Sequence, residues 1–228
     1  MRNDICCLIP SYNEATSIGT IVKRLRDGGY AVYVVDDGST DATASIAESE
    51  GGVVIRHKTN LGKGAALREG FKRVMGDGYD AVIVMDGDNQ HEINDIPFFI
   101  DMAAKSDAGL IIGNRMLDTS SMPRVRRIVN RFMSYLLSNV AGQEVPDSQC
   151  GFRLIKKEAL AGIRLESSNF EIESEMILKA AWAGFKIESV PIKTVYRNET
   201  SKVHPFFDTL RFIAFMVKSL MSRQRSGK

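Results

Sequence analysis

Residues 82–91 read Val-Ile-Val-Met-Asp-Gly-Asp-Asn-Gln-His, an apolar run leading straight into two aspartates one residue apart, Asp86 and Asp88. Side chains at i and i+2 of an extended segment point the same way. The two carboxylates therefore form part of a cage for a hard divalent cation. Mg²⁺ favours one or two carboxylates completed by phosphate oxygens over a cage made wholly of protein. The segment thus points to a phosphate-bearing substrate held through a metal. Three readings compete with it. A polar turn has the same composition. An EF-hand loop beginning at Asp86 needs Gly at its sixth position and Glu at its twelfth, where this chain has His91 and Pro97. The aspartyl nucleophile of a phosphatase can also follow an apolar strand.

The flanking sequence decides among them. Upstream, strand patterns at Ile5–Ile9, Ala31–Val35, Val53–Arg56 and Ala81–Met85 alternate with helical patterns at Ser17–Leu25, Thr40–Ser49 (Ser39 or Thr40 as N-cap) and Gly64–Met75. A helix at Ile93–Ala104 and a strand at Leu110–Ile112 follow. This alternation predicts an α/β fold, a mostly parallel central sheet with helices on both faces. Such sheets bind ligands at the carboxyl ends of their strands. Each of the five strands ends in a polar cluster: Pro10-Ser11-Tyr12-Asn13-Glu14, Asp36-Asp37-Gly38-Ser39, Asn60-Leu61-Gly62-Lys63-Gly64, Asp86-Gly87-Asp88 and Gly113-Asn114-Arg115. Any one is an ordinary turn, but five on one edge mark a site, and a phosphatase nucleophile explains only one of them.

After Arg115 the alternation changes. Arg124–Val140 is a basic amphipathic helix, Gly151–Ile155 a short strand and Phe170–Ala183 a helix rich in glutamate. Lys186–Tyr196 reads as a long strand interrupted by Pro191, which places it at an edge or bulge. Phe206–Met221 is an apolar helix broken by charges. Its apolar side could enter a membrane interface while Arg211, Lys218, Arg223 and Arg225 meet anionic headgroups. A core helix or a homodimer contact is the other reading. No linker or internal repeat separates these elements, so one domain is expected.

Composition agrees. The 228 residues suit one α/β domain; 44% hydrophobic and 25% charged residues are ordinary for a globular protein, and a net charge of +2 gives nucleic-acid binding no support. Three cysteines, Cys6, Cys7 and Cys150, are too few and too oddly placed for a disulfide framework and read as buried thiols. The first apolar run ends at Pro10, too short for a signal peptide, and no stretch reaches the ~18–20 apolar residues of a membrane span.

Two nucleotide motifs are absent. Gly62-x-Gly64 has Leu67 where a dinucleotide fingerprint needs its third glycine, and Gly62-Lys63-Gly64 lacks the spacing and Ser/Thr of a phosphate loop. Asp37 is a candidate for hydrogen bonds from a base or ribose, or forms an Asx turn before Gly38. Arg115 and Arg197 are candidates for a diphosphate, which guanidinium binds through two parallel hydrogen bonds. His57, His91 and His204 are scattered, and structural roles suit them better than base catalysis.

Together these segments resemble glycosyltransferase family 2 and its GT-A fold, over residues 5–205. Residues 206–228 form a C-terminal amphipathic helix and basic tail outside the resemblance. Asp147-Ser148-Gln149-Cys150-Gly151-Phe152-Arg153, Glu173-Ser174-Glu175-Met176 and Val190-Pro191-Ile192 with Arg197 and Ser201-Lys202 are similar to the polyprenyl- or dolichyl-phosphate sugar synthases. The mannose synthases have one more residue between that Arg and Lys. The resemblance implies a metal-dependent, inverting hexosyltransferase that moves sugar from a GDP- or UDP-sugar to a polyprenyl or dolichyl phosphate. Pro10, Tyr12, Glu14, Val35 and Asp37 would line the nucleoside pocket. Asp86, Asp88 and Gln90, around Gly87, would hold Mg²⁺ or Mn²⁺ against the donor diphosphate. Arg115, Arg197 and Lys202 would clamp phosphates, and Arg127 and Arg131 would face the acceptor phosphate or anionic lipid. Asp88 would be catalytic through the metal, and Glu175 is the carboxylate available if a base is used; a helix-terminal charge explains Glu175 equally. The implied location is cytoplasmic, peripheral to the cytoplasmic face of a membrane. A soluble or saccharide acceptor, or a non-catalytic nucleotide-sugar-binding module, remains open.

Overall fold

The strands that end in the polar clusters lie side by side. A computed structural model describes residues 4–120, 122–193, 212–217 and 219–221. Its strands are β1 (Ile5–Ser11), β2 (Ala31–Asp36), β3 (Val53–Arg56), β4 (Ala81–Val84), β5 (Leu110–Asn114), β6 (Arg153–Lys156) and β7 (Ile187–Pro191). They form one seven-stranded sheet in the order β3-β2-β1-β4-β6-β5-β7. All pairings are parallel except those of β6, which runs antiparallel to both β4 and β5. β1 and β4 are buried along their whole length, as strands covered on both faces must be, hence their continuous apolar runs. Burial pushes the Cys6 and Cys150 thiols up to about 12 and Cys7 well above its ordinary value, so all three are inert packing groups.

The helices are α1 (Ile18–Asp27), α2 (Thr43–Ser49), α3 (Lys63–Gly76), α4 (Ile96–Lys105), α5 (Arg124–Ala141), α6 (Lys157–Gly162) and α7 (Glu171–Trp182). They pack on both faces of the sheet. α3 lies on β1 and β2, α4 against β6 and β7, and α7 touches α3, α5 and β7. The expected cap at Ser39 or Thr40 is not formed. Ser39 Oγ accepts the Asn13 N–H at 2.9 Å, and the helix begins at Thr43, whose N–H donates to Asp41 Oδ1 at 2.9 Å. Ile93–Asp95 is a short 3₁₀ turn that precedes α4. β7 is an edge strand and stops at Pro191, with Thr194–Tyr196 of the expected long strand outside the described residues.

Two topological facts position the site. The chain winds from β1 outward to β3, then returns to place β4 on the other side of β1. The crevice at the carboxyl ends of β1 and β4 is therefore the switch point where such sheets bind ligands. β6 then inserts between β4 and β5, with Val84 paired to Arg153. Continued two residues, that register sets Asp86 across from Gly151.

Candidate active site

Past β4 the backbone turns at Gly87 and Asp88, and Asn89 sits at φ +58°. Asp86, Asp88 and Gln90 are partly exposed, whereas Gly87, Asn89 and His91 between them are buried. Asp86 is held at both oxygens: Lys63 Nζ donates to Oδ1 at 2.5 Å and His91 Nε2 lies 3.1 Å from Oδ2. Among the described residues the buried His91 Nδ1 has no hydrogen-bond partner, so the carboxylate at Nε2 selects the tautomer that donates there. The imidazole rests on Phe152, ring centroids 5.0 Å apart, and Phe152 rests on Phe99. Lys63 also reaches Glu173 Oε1 at 2.5 Å, which joins α3, the β4 turn and α7 through one ammonium.

The two aspartates are driven apart electrically. Burial pushes the Asp86 carboxyl up, but Lys63 and then His91 outweigh it and hold Asp86 well below the usual carboxylate range. Burial pulls the Lys63 ammonium down, yet Asp86 and Glu173 outweigh this and raise it. Asp88 moves the other way: burial and then the charge of Asp86 raise it. Among the described residues Asp88 receives only the Gln90 N–H, at 3.0 Å. The carboxylate whose charge is least compensated is thus the one with oxygens to offer. Hard oxygen donors from Asp88, Gln90 and Asp86 fit a partial Mg²⁺ or Mn²⁺ cage. No group of three or more His, Cys, Asp or Glu side chains among the described residues could hold a metal alone, so phosphate oxygens would have to complete the shell.

One side of the crevice is formed by β1 and β2. Pro10 pairs with Val35 and Ser11 with Asp36, Tyr12 is exposed, and Glu14 is half-buried. Asp37 is less available than its sequence suggests. Its carboxylate accepts the Leu61 N–H at 2.9 Å and the Gly62 N–H at 2.8 Å, and His57 Nδ1 lies at 2.7 Å. Asp37 therefore fastens the Asn60–Gly64 turn to β2, and Asp36 makes the Asx-type bond to the Ser39 N–H. Gly62 has φ +95°, and a Cβ there would strike the Ser168 carbonyl. This gives the glycine both a conformational and a steric reason.

Residues 166–169 are pinned over that turn. Ser168 O accepts the Gly64 N–H at 2.8 Å and the Ala65 N–H at 3.2 Å, so protein caps the start of α3. Arg68 donates to Glu166 O and Ser167 O. Glu175 accepts the Glu166 and Ser167 N–H groups at 2.9 and 2.8 Å and pairs with Lys179 at 2.7 Å. Burial pushes Glu175 up, but Lys179 and these amides outweigh it, leaving a carboxyl below its ordinary value. Glu175 is a loop anchor in this geometry, and Glu173 is the glutamate that meets the Asp86 centre. Glu175→Gln should therefore keep turnover within about threefold of wild type, where loss of a general base costs about 10²–10⁴-fold. Stability should fall by about 1–3 kcal/mol, the worth of hydrogen bonds to a charged acceptor. Initial rates beside a urea melt separate the two roles.

Arg115 also departs from expectation. Its guanidinium grips Asp147 in a buried bidentate pair, Nε to Oδ2 at 2.7 Å and Nη2 to Oδ1 at 2.9 Å, and the Arg115 N–H adds a third bond at 3.1 Å. Planar guanidinium matches a carboxylate as well as it matches phosphate, and the buried carboxylate is already in place. Arg115 ties β5 to the 147–152 loop. Arg127 is half-buried and donates to Thr119 Oγ1 at 3.3 Å, and Arg131 is exposed on α5. Arg197 and Lys202 lie outside the described residues.

Comparison with known proteins gives the family and the fold. The family described as Glycosyl transferase family 2 matches residues 6–164. The chain belongs to glycosyltransferase family 2. An uncharacterized protein of Methanocaldococcus jannaschii is 37% identical over 201 residues, covering 86% of this chain and 83% of its own. A UDP-N-acetylglucosamine–dolichyl-phosphate N-acetylglucosaminyltransferase of Methanococcus voltae is 30% identical over 215 residues, covering 84% and 86%. The crystal structure of glucosyl-3-phosphoglycerate synthase from Mycobacterium tuberculosis in complex with Mn²⁺, UDP and glucosyl-3-phosphoglycerate superposes with a TM-score of 0.69 over 95% of this chain and 79% of that one, at 20% identity. That likeness confirms the GT-A fold.

Within this family-2 chain, sequence reasoning overlooked Lys63, Glu173, Gly151 and Arg153 as parts of the centre. Lys63 and Gly151 stood in recognised segments, Asn60–Gly64 and Asp147–Arg153, but the residues they face are remote in sequence. Arg153 is fully buried and donates to three carbonyls, Cys150 O at 2.8 Å, Glu173 O at 2.6 Å and Ser148 O at 2.9 Å.

Proposed function

We propose that this family-2 glycosyltransferase moves a hexose from a nucleoside diphosphate sugar to a polyprenyl-type lipid phosphate, with inversion and with Mg²⁺ or Mn²⁺. One observation carries the donor half: the partly exposed Asp86, Asp88 and Gln90 stand on one tight turn at the sheet's switch point, with Asp88 left under-compensated. The dolichyl-phosphate transferase of Methanococcus voltae supports the acceptor half, and the Mn²⁺–UDP complex of the mycobacterial synthase supports the cofactor. When bound, the cation neutralises charge on the departing diphosphate.

The chain's own residues do the rest. Pro10, Tyr12, Glu14 and Val35 line the nucleoside end. Asp37 contributes by fixing the Asn60–Gly64 turn. Lys63 and His91 hold Asp86 in one rotamer, so that no reorganisation is needed when the donor arrives. Arg127 and Arg131 offer positive charge to the acceptor phosphate, joined by Arg197 and Lys202. A phosphate monoester is ionised near pH 7, so the attacking oxygen needs no strong base, which agrees with the anchoring role of Glu175. In this reading residues 1–205 carry the catalysis and residues 206–228 act as a tail at the cytoplasmic face of the membrane.

The test is a melting panel of UDP-, GDP- and dTDP-sugars with Mn²⁺, followed by transfer assays. A ligand at a hundredfold excess over Kd stabilises by about 2.7 kcal/mol, several degrees for a chain of this size. One donor should stand out, its shift should vanish with chelator, and Asp88→Ala should abolish both shift and transfer. Unchanged turnover in Asp88→Ala removes the metal role. Transfer to oligosaccharide and not to short-chain polyprenyl phosphate replaces the lipid acceptor with a saccharide one.

A further inference from the structure

α5 carries its apolar residues on two sides. The inner face, Asn130, Met133, Ser134 and Leu137, is buried, and the helix packs against α7. On the opposite side Val125, Ile128, Phe132 and Tyr135 are 62, 66, 48 and 67% exposed. Spaced three, four and three residues apart, they line up as one ridge along the helix. A surface helix normally turns charged residues to this side. Here Arg124 and Arg131 are exposed and Arg127 half-exposed along one flank of the ridge, and none of the 18 residues of the helix is acidic. In a chain of net charge +2 this concentration of positive charge is local.

We propose that the outer face of α5 is a seat for an anionic lipid surface. The helix lies in the plane of the bilayer. Val125, Ile128, Phe132 and Tyr135 enter the boundary between headgroups and acyl chains, and Arg124 and Arg131 rise to the phosphates. Tyrosine favours that boundary because one end of its ring is apolar and the other is wet. A second copy of the chain fits the ridge less well. A two-fold contact sets the same patch against itself, and with no acidic residue on the helix it would bring arginine rows together. A second helical stretch repeats the pattern: Phe212 and Met216 are buried in the core, and Ile213, Val217, Leu220 and Met221 are exposed. Among the described residues no helix is long and apolar enough to cross a membrane, so contact through such faces would be in-plane. The proposal deepens the lipid-acceptor reading, on which its biological setting rests.

The test uses the full chain and its Ile128→Ser/Phe132→Ser variant in flotation with vesicles of phosphatidylglycerol and phosphatidylcholine, and of phosphatidylcholine alone. Wild type should float with the anionic vesicles and much less with the neutral ones. The variant should partition roughly tenfold less or weaker, because membrane binding scales with apolar area inserted, while keeping the donor-induced melting shift. A Phe132→Trp variant supplies a second readout, a blue shift of emission on anionic vesicles only. Equal flotation of variant and wild type, or no emission shift, overturns the seat. So does a change from dimer to monomer in the double variant with vesicle binding intact, which reassigns the ridge to self-association. Failure of wild type to use polyprenyl phosphate, with flotation as expected, sinks the acceptor reading and leaves the seat standing.

Discussion

Gly151→Ala should cut transfer by about 10²-fold or more in a protein that still folds. A Cβ at position 151 would lie 2.5 Å from Asp86 Oδ2, 2.9 Å from Oδ1 and 3.0 Å from Cγ. Real Cβ atoms do not tolerate such distances, so the carboxylate or the β6 entry has to move. The carboxylate is not free to swing, since Lys63 holds one oxygen and His91 the other. Antiparallel pairing to β4 and β5 fixes the strand that follows Gly151. The methyl group therefore displaces Asp86, and with it the turn that carries Asp88 and Gln90. Misplacing a reacting constellation by about 1 Å costs about 10²-fold, and overpacking costs about 1–3 kcal/mol of stability. We expect kcat/KM to fall by about 10²-fold or more, the Mn²⁺–nucleotide melting shift to disappear, and the ligand-free melting temperature to drop by only a few degrees. Calorimetric titration with Mn²⁺ and nucleoside diphosphate reads the loss without needing the acceptor. Wild-type affinity in Gly151→Ala would show that the close approach has no functional meaning.

Arg153→Met should be the most destabilising single change at the centre. Arg153 is buried to within 1% of complete exclusion from solvent, and burial lowers its guanidinium from the ordinary value. Guanidinium nevertheless stays charged. Its three hydrogen bonds gather the 148–150 loop and the first turn of α7 around β6. Methionine fills much of the volume but leaves three carbonyl oxygens unpaired in the interior, and it removes a positive charge near Glu173, Asp147 and Asp86. Breaking such a buried arrangement costs about 3–5 kcal/mol, which lowers the melting temperature by roughly 10 °C for a chain of this size. Arg153→Lys should recover less than half of this, because one ammonium cannot reproduce a planar fork aimed at three acceptors. Calorimetry on the two variants decides the point: a loss under about 1 kcal/mol in Arg153→Met would place the guanidinium outside the structural core.

How far the sequence could be read depended on how locally each feature is encoded. Strand and helix periods, the five polar clusters and the family were all legible, since each depends on residues close in the chain. The antiparallel insertion of β6 was not. A short apolar segment carries no mark of its direction, and only the pairing of Val84 with Arg153 brings Gly151 to Asp86. Arg115 was read as a phosphate ligand because its chemistry permits that. Asp147, 32 residues away, is the partner the fold supplies.

The two acidic pairs show the boundary most clearly. Asp86 and Asp88 were recognised as a unit from their spacing on an extended backbone; the structure leaves both partly exposed, but on a turn with Asn89 at φ +58° instead of a continued strand. Glu173 and Glu175 have the same spacing but stand on α7, where residues i and i+2 diverge by about 200°. One therefore meets Lys63, 110 residues away, and the other anchors the 166–167 amides. The chain's own pattern determined which carboxylates exist and which segment carries them. Which one joins the centre was decided only when α7 packed against α3, because side-chain direction on a helix acquires meaning from the surface it faces.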